Sequence, residues 1–166
     1  LPNSYRNHFF LCDFPGGVHS FAVQGRGAGF EVFDQRQFLW ELFPVDVGFG
    51  PDGGAYVLDW VQGWEKTGKG RLFRVTEDRA LQDPLVAQTK KLLAEGFAQR
   101  PPQELGELLG FADKRVRQEA QFELAARGMQ TTNLLAQLAI GAKEELARVH
   151  AIWAIGQVAR KDPPTY

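Results

Sequence analysis

Apolar and polar residues alternate through Val45-Asp46-Val47-Gly48-Phe49, the period-two pattern of a strand with one buried face. Gly50-Pro51-Asp52-Gly53-Gly54 then turns the chain: proline presets φ, aspartate bonds its own backbone and the glycines accept positive φ. Ala55 to Trp60 runs back as a second strand. The same grammar predicts strands over 8–13, 18–24, 29–34, 45–49, 55–60 and 71–76, separated by Gly, Pro and Asp. Beyond Thr76 the period lengthens. Asp83-Pro84 is an N-cap with proline at the first helical position, and Gly96 stops a helix whose apolar face is Leu85, Leu92 and Leu93. Further helices are predicted over 102–109, 113–128, 132–140 and 143–160, the third of the series carrying Val116, Ala120 and Leu124 at i+4 spacing.

Composition divides the chain at the same place. Fifteen of the twenty aromatics and twelve of the eighteen glycines fall at or before Val75, whereas fifteen of the eighteen alanines follow it. Strands favour aromatic and β-branched residues, and helices favour alanine and leucine, so a β half (1–78) precedes an α half (79–166).

Each half repeats itself. In the β half, Phe10-Leu-Cys-Asp13-Phe14 matches Tyr56-Val-Leu-Asp59-Trp60 at an offset of 46, and Phe21-Ala-Val23 matches Phe73-Arg-Val75 at 52. That period, with three or four strands per unit, is the period of a propeller blade. The expected fold is therefore β followed by α: the last one and a half blades of a six-bladed-type β-propeller, then an α-solenoid of HEAT-like repeats. The alternative is a small independent sheet packed on the helices. In the α half, Arg117, Ala120, Phe122 and Leu124 match Arg148, Ala151, Trp153 and Ile155 at an offset of 31, a helix-turn-helix period, and Asp113 to Ala120 carries the Asp-x-x-Val-Arg-x-x-Ala pattern of HEAT repeats. Trp153 then reads as a core residue between repeats and His150 as an interface histidine. Unpaired blade edges and an open repeat end make the chain read as part of something longer, with a processed N-terminus as the other reading of Leu1.

Charge and cysteine content narrow the function classes. The formal net charge of −1, with both signs spread along the chain, supplies no basic field for nucleic acid and no polybasic run for anionic membrane. Cys12 is the single cysteine, so neither an internal disulfide nor a Cys-x-x-Cys-His haem attachment is encoded. No apolar run approaches the roughly 18 residues of a membrane helix.

Candidate chemistry is sparse. His8 and Cys12 fall on one strand face and His19 opens the next strand, which with Asp13 permits a small metal cluster; the bland reading, a core thiol and turn histidines, is preferred, and no metal is assigned. Asp13 and Asp59 end the two matching strands and read as turn-forming fold residues. Gln62 to Gly70 is a polar, glycine-rich loop carrying Trp64, without the phosphate-loop pattern and with no helix after it; at a propeller rim it is the best surface candidate for a ligand. No nucleophile elbow or catalytic carboxylate pair is present.

The strings NHFFLCDFPGGVHSFAV, FPVDVGFGPDGGAYVLDWVQGWEKTGKGRLFRV, DKRVRQEAQFELAARG and RVHAIWAIGQVAR resemble, in order, a multidomain bacterial family named as membrane-bound dehydrogenases or haem-binding proteins. Its members have a propeller similar to quinoprotein sugar and sorbosone dehydrogenases, then HEAT repeats and often a cytochrome c domain. The resemblance implies an extracytoplasmic, periplasmic parent that oxidises a sugar or alcohol with pyrroloquinoline quinone and calcium and passes electrons to a c-type haem in a separate domain. No cofactor is assigned to this chain, and no histidine matches the family's catalytic position. Two functional readings follow. The first is the C-terminal portion of a quinoprotein-like dehydrogenase, inactive alone, with His8, His19, Asp46, Asp59, Trp60 and Trp64 as pocket or rim neighbours. The second is a non-catalytic protein–protein interaction scaffold or subunit, whose partners are other blades or another chain at the strand edges, and further repeats or a protein at the helical end.

Overall fold

The structure is a computed structural model describing residues 3–61, 66 and 68–161. The chain forms two compact units, Leu1–Val86 and Ala87–Tyr166.

In the first unit a short 3₁₀ turn, Asn3–Tyr5, leads into β1 (Phe9–Asp13), β2 (Gly17–Arg26) and β3 (Gly29–Leu39), an antiparallel meander. A second meander follows: β4 (Pro44–Phe49), β5 (Ala55–Asp59) and β6 (Arg71–Val75). Gly17 makes the first turn possible, because its φ is +106° and a Cβ there would collide with the Leu39 carbonyl. Alternation along β2 sends Val18, Ser20 and Ala22 inward, all buried. Phe9 and Leu11, each 55% exposed, lie on the outward face of β1. The two meanders meet through Phe10 against Phe49, ring centroids 4.9 Å apart, and Phe14 against Phe43 at 5.5 Å.

The turn between β4 and β5 is closed by Asp52. Its carboxylate accepts from Gly54 N (3.2 Å), Tyr56 Oη (2.8 Å) and Arg74 Nε (2.8 Å). Burial alone would raise its pKa, but those hydrogen bonds and the Arg74 charge outweigh burial and lower it to about 2.

These sheets correct the expected fold. Among the described residues there are two three-stranded antiparallel sheets and six helices, with neither a propeller nor any other closed ring. The matched segments that suggested blades do not occupy matched places: 10–13 lies on β1, an edge strand, whereas 56–59 lies on β5, the central strand of its sheet. β3 also continues to Leu39 rather than ending at Asp34, because a bulge opposite Ser20 to Ala22, with Asp34 at φ +50°, absorbs the extra residue and restores pairing beyond it. Two small three-stranded sheets stand where the blades were expected.

A single helical turn, α1 (Asp78–Leu81), capped by Glu77, occupies what the sequence suggests is a plain connection. Then come α2 (Pro84–Glu95), α3 (Pro102–Leu108), α4 (Lys114–Ala126), a 3₁₀ turn at Gly128–Thr131, α5 (Thr132–Gly141) and α6 (Glu145–Lys161). Asp83 caps α2 by accepting from Leu85 N at 2.9 Å, and Asp113 caps α4 through Arg115 N at 2.8 Å. The core of the second unit is Leu105, Leu109, Val116, Ala120, Leu124, Leu135, Ala151, Ala154 and Val158, with Leu92 and Leu93 packed against it. No helix among the described residues is long and apolar enough to cross a membrane.

Candidate functional site

The β unit holds the residues that sequence chemistry singles out, and it separates them. The His8 side chain is buried, its Nδ1 3.3 Å from Ser20 Oγ and its Nε2 3.3 Å from Asp34 Oδ2. The set Ser20–His8–Asp34 contains the residue types of a nucleophilic triad, but Ser20 is wholly buried. Arg36 also claims both Asp34 oxygens, at 2.7 and 2.6 Å, and its hydrogen bonds hold the Asp34 pKa below the usual range. The cluster fastens the N-terminal turn onto the bulge of β3. No substrate atom can reach the hydroxyl.

His19 points to the opposite face of β2 from Ser20, so it cannot join His8. Its Nε2 is 3.7 Å from Asp13 Oδ2, and both side chains are partly exposed. Asp46 is exposed and bonds the next residue, Val47 N, at 2.8 Å. Burial first, then the Asp46 charge, raises the Cys12 pKa, which keeps the thiol protonated and a poor nucleophile. Asp59 is buried, with one oxygen accepting from Phe43 N (2.7 Å) and the other from Arg71 Nε (2.7 Å). Trp60 donates its backbone N–H to Phe43 O and is 37% exposed. Trp64 lies outside the described residues. Asp13 and Asp59, equivalent in sequence, are therefore unlike in place: one is exposed beside a histidine, the other locks a sheet. Of these residues, His8 and Asp59 spend their polar atoms on internal bonds, and His19 lies on the opposite face of β2 from Ser20. Among the described residues no three His, Cys, Asp or Glu side chains are grouped to hold a metal ion.

The helical unit holds a different kind of site, built by its repeat. Arg117 Nη1 donates to the carbonyls of Phe111 (2.7 Å) and Ala112 (2.8 Å). Thirty-one residues on, Arg148 Nη1 donates to the carbonyls of Ala142 (2.8 Å) and Lys143 (3.0 Å). Each arginine thus clamps the turn that precedes its own helix, and the hairpins α3–α4 and α5–α6 are structural copies.

The second hairpin sits on the first. α5 comes close to α3 at Gly106, where a Cβ would stand 3.0 Å from Leu138. α6 lies along α4 through a buried polar chain: Arg117 Nε donates to His150 Nε2 (3.2 Å), His150 Nδ1 donates to Gln121 Oε1 (2.6 Å), and Gln121 Nε2 donates to Gln157 Oε1 (3.0 Å). Those bonds require the neutral His150 tautomer with its proton on Nδ1. Burial, followed by the charges of Arg117 and Lys114, lowers the His150 pKa and keeps it neutral. Burial likewise lowers the Arg117 pKa.

Among the described residues nothing covers the outer face of α5–α6. Leu109 is fully buried while its counterpart Ile140 is 87% exposed, and Gln121 is 5% exposed while its counterpart Ile152 is 56% exposed. Trp153, expected in the core, is also 56% exposed, edge-on to the His150 ring at 5.2 Å. Beside this face, Phe122, Ala125, Gln157, Arg160 and Lys161 line a groove of about 300 Å³ between α4 and α6. Sequence reasoning matched these helices but not their exposed positions. The replacement of Gln121 by Ile152, a polar residue giving way to an apolar one at matched places, was the available signal.

Compared with known proteins, the chain matches no family model, no curated protein and no solved structure.

Proposed function

We propose that the chain is a non-catalytic protein-interaction module whose binding surface is the outer face of the α5–α6 hairpin. One observation carries this reading: Leu109 and Gln121, buried on the first hairpin, have counterparts on the second, Ile140 and Ile152, that are apolar and exposed among the described residues. A repeated unit whose stacking face stays open gains apolar burial when that face is covered. In the β unit two of the candidate pocket residues, His8 and Asp59, are held by internal bonds, which favours the interaction reading over the enzymatic one. The family-like strings supply the setting of the proposal, an extracytoplasmic redox assembly in which other parts carry the quinone and haem.

The test is assembly in the natural source. Tagged wild-type chain should elute within a complex larger than its own 18.6 kDa, and the double variant Ile140→Lys/Ile152→Arg should elute free with an unchanged helical circular-dichroism spectrum. Elution of the wild type alone, or an intact complex in the double variant, would overturn the proposal. So would dye reduction by the purified chain supplied with pyrroloquinoline quinone, calcium and a sugar.

A further inference from the structure

We infer that the seam between the hairpins α3–α4 and α5–α6 is a proton-operated joint: protonation of His150 loosens the packing of the second hairpin on the first, while each hairpin keeps its own fold. This goes beyond the binding role proposed above. It concerns the buried seam and holds whatever the outer face meets.

The seam is tied through one imidazole. His150, on α6, is 5% exposed and holds two of the three bonds in the polar chain that joins α6 to α4. Its Nδ1 already carries the proton given to Gln121, so a second proton can go only to Nε2, the atom that accepts from Arg117 Nε at 3.2 Å. Two N–H groups would then face each other, and two cations with them. Turning the ring over brings no relief. Both nitrogens of an imidazolium are donors, so either orientation sets a donor against Arg117.

Arg117 is held where it is. A guanidinium stays charged throughout the range in which histidine titrates, and Nη1 is fixed by the carbonyls of Phe111 and Ala112 in the turn before α4. The part left to yield is α6. No acid stands ready to neutralise the new charge, because α4 acts on the ring through Arg117 and Lys114, both positive. Asp113, at the start of α4, is engaged by Arg115. On α3, Glu104 is bonded by Arg100 and Glu107 is exposed, while α5 and the 3₁₀ turn before it carry no titratable side chain. On α6 itself Glu145 is exposed and Arg148 is taken up by its own clamp. Burial and the two α4 charges keep the ring neutral, and the joint shut, at pH 7.

What keeps each hairpin whole is local. Arg117 and Arg148 each close a turn of their own hairpin, and neither clamp borrows a group from the other. The bonds of His150 are the ones that cross. Apolar contacts such as Leu138 beside Gly106 do not depend on protons, so acid loosens the seam without parting it.

Double electron–electron resonance on the full chain measures the seam directly. In a Cys12→Ser background, spin labels at Glu119→Cys on α4 and Ala159→Cys on α6, both exposed positions, span it. Gln103→Cys with Glu119→Cys, and Gln137→Cys with Ala159→Cys, report from within each hairpin. Between pH 7 and pH 5 a longer-distance population should appear in the seam pair. Its ratio to the short one should rise by up to about tenfold for each pH unit by which the closed-state pKa lies below the value near 6.5 of a free imidazole. Both within-hairpin pairs and the helical circular-dichroism spectrum should stay unchanged. His150→Gln, neutral and still able to accept from Arg117, should hold the seam pair at its short distance at both pH values. In the wild type, the NMR titration of the His150 ring should share its midpoint with the change in distance, a comparison that needs no variant at His150. An invariant seam distance in the wild type, an opening that persists in His150→Gln, a ring titration with a different midpoint, or lengthening of all three pairs together overturns the inference.

Discussion

Arg117 and Arg148 make chemically matched bonds in different surroundings, and replacing each by methionine isolates the effect of burial. Methionine keeps the apolar stem and removes the guanidinium. Arg117 is 8% exposed and makes three hydrogen bonds, two to turn carbonyls and one to His150. Hydrogen bonds to a charged group contribute roughly 1.5–3 kcal/mol each, and the cost of desolvating the guanidinium offsets part of their sum. Arg117→Met should therefore cost about 2–4 kcal/mol. Arg148 makes the same carbonyl clamp on the open face, where water can take its place, so Arg148→Met should cost about 0.5–1 kcal/mol. For a unit of this size each kcal/mol moves Tm by about 4–8 °C. Thermal and urea unfolding followed at 222 nm should then separate the variants by about 4 °C or more. Equal losses would show that the two clamps are energetically alike, and that the second hairpin's open face does not weaken its own.

The remaining predictions concern protons and the β unit. His150 has a folded-state pKa below the unfolded value near 6.5, so the stability tied to its neutral form is present above that pH and lost as pH falls through the window down to the folded pKa. Unfolding midpoints between pH 7 and pH 5 should fall in the wild type, and His150→Gln should flatten the slope; an unaltered slope would remove His150 from the account. Asp59→Ala should cost the β unit about 2–4 kcal/mol, because it strands Phe43 N and Arg71, while Asp13→Ala should lie within about 0.5 kcal/mol of wild type. Amide exchange of β5 measures both, and a cost at Asp13 as large as at Asp59 would contradict their different burial.

Strands and helices were legible because their signals are local. The alternation at Val45 to Phe49, the turn at Gly50 to Gly54 and the caps at Asp83 and Asp113 each lie within a few residues. The expected propeller does not follow from the repeat, because similar strand strings do not say which place a strand takes in a sheet. The bulge at Asp34 is equally silent, since its backbone conformation is imposed by pairing across β2. The His8 cluster is hidden for a related reason: His8 finds Ser20 and Asp34 through sheet register, at separations no motif spans. Trp153 shows the limit of matching repeats. It follows Ala151 by two residues, about 200° around the helix, so it faces away from the stripe that Ala151 buries. Phe122 stands in the same relation to Ala120 and is 42% exposed, so the pair matched in sequence without either being core.

The arginine clamps have a consequence for how such a chain can change. Because each guanidinium closes the carbonyls of its own turn, the backbone needs of one hairpin are met without help from its neighbour. Contacts between hairpins are then free to be rewritten from polar to apolar, as from Gln121 to Ile152, while the scaffold that displays them is inherited intact. Duplication of such a unit yields a new recognition surface at once, with its geometry already set and only the facing side chains left to diverge.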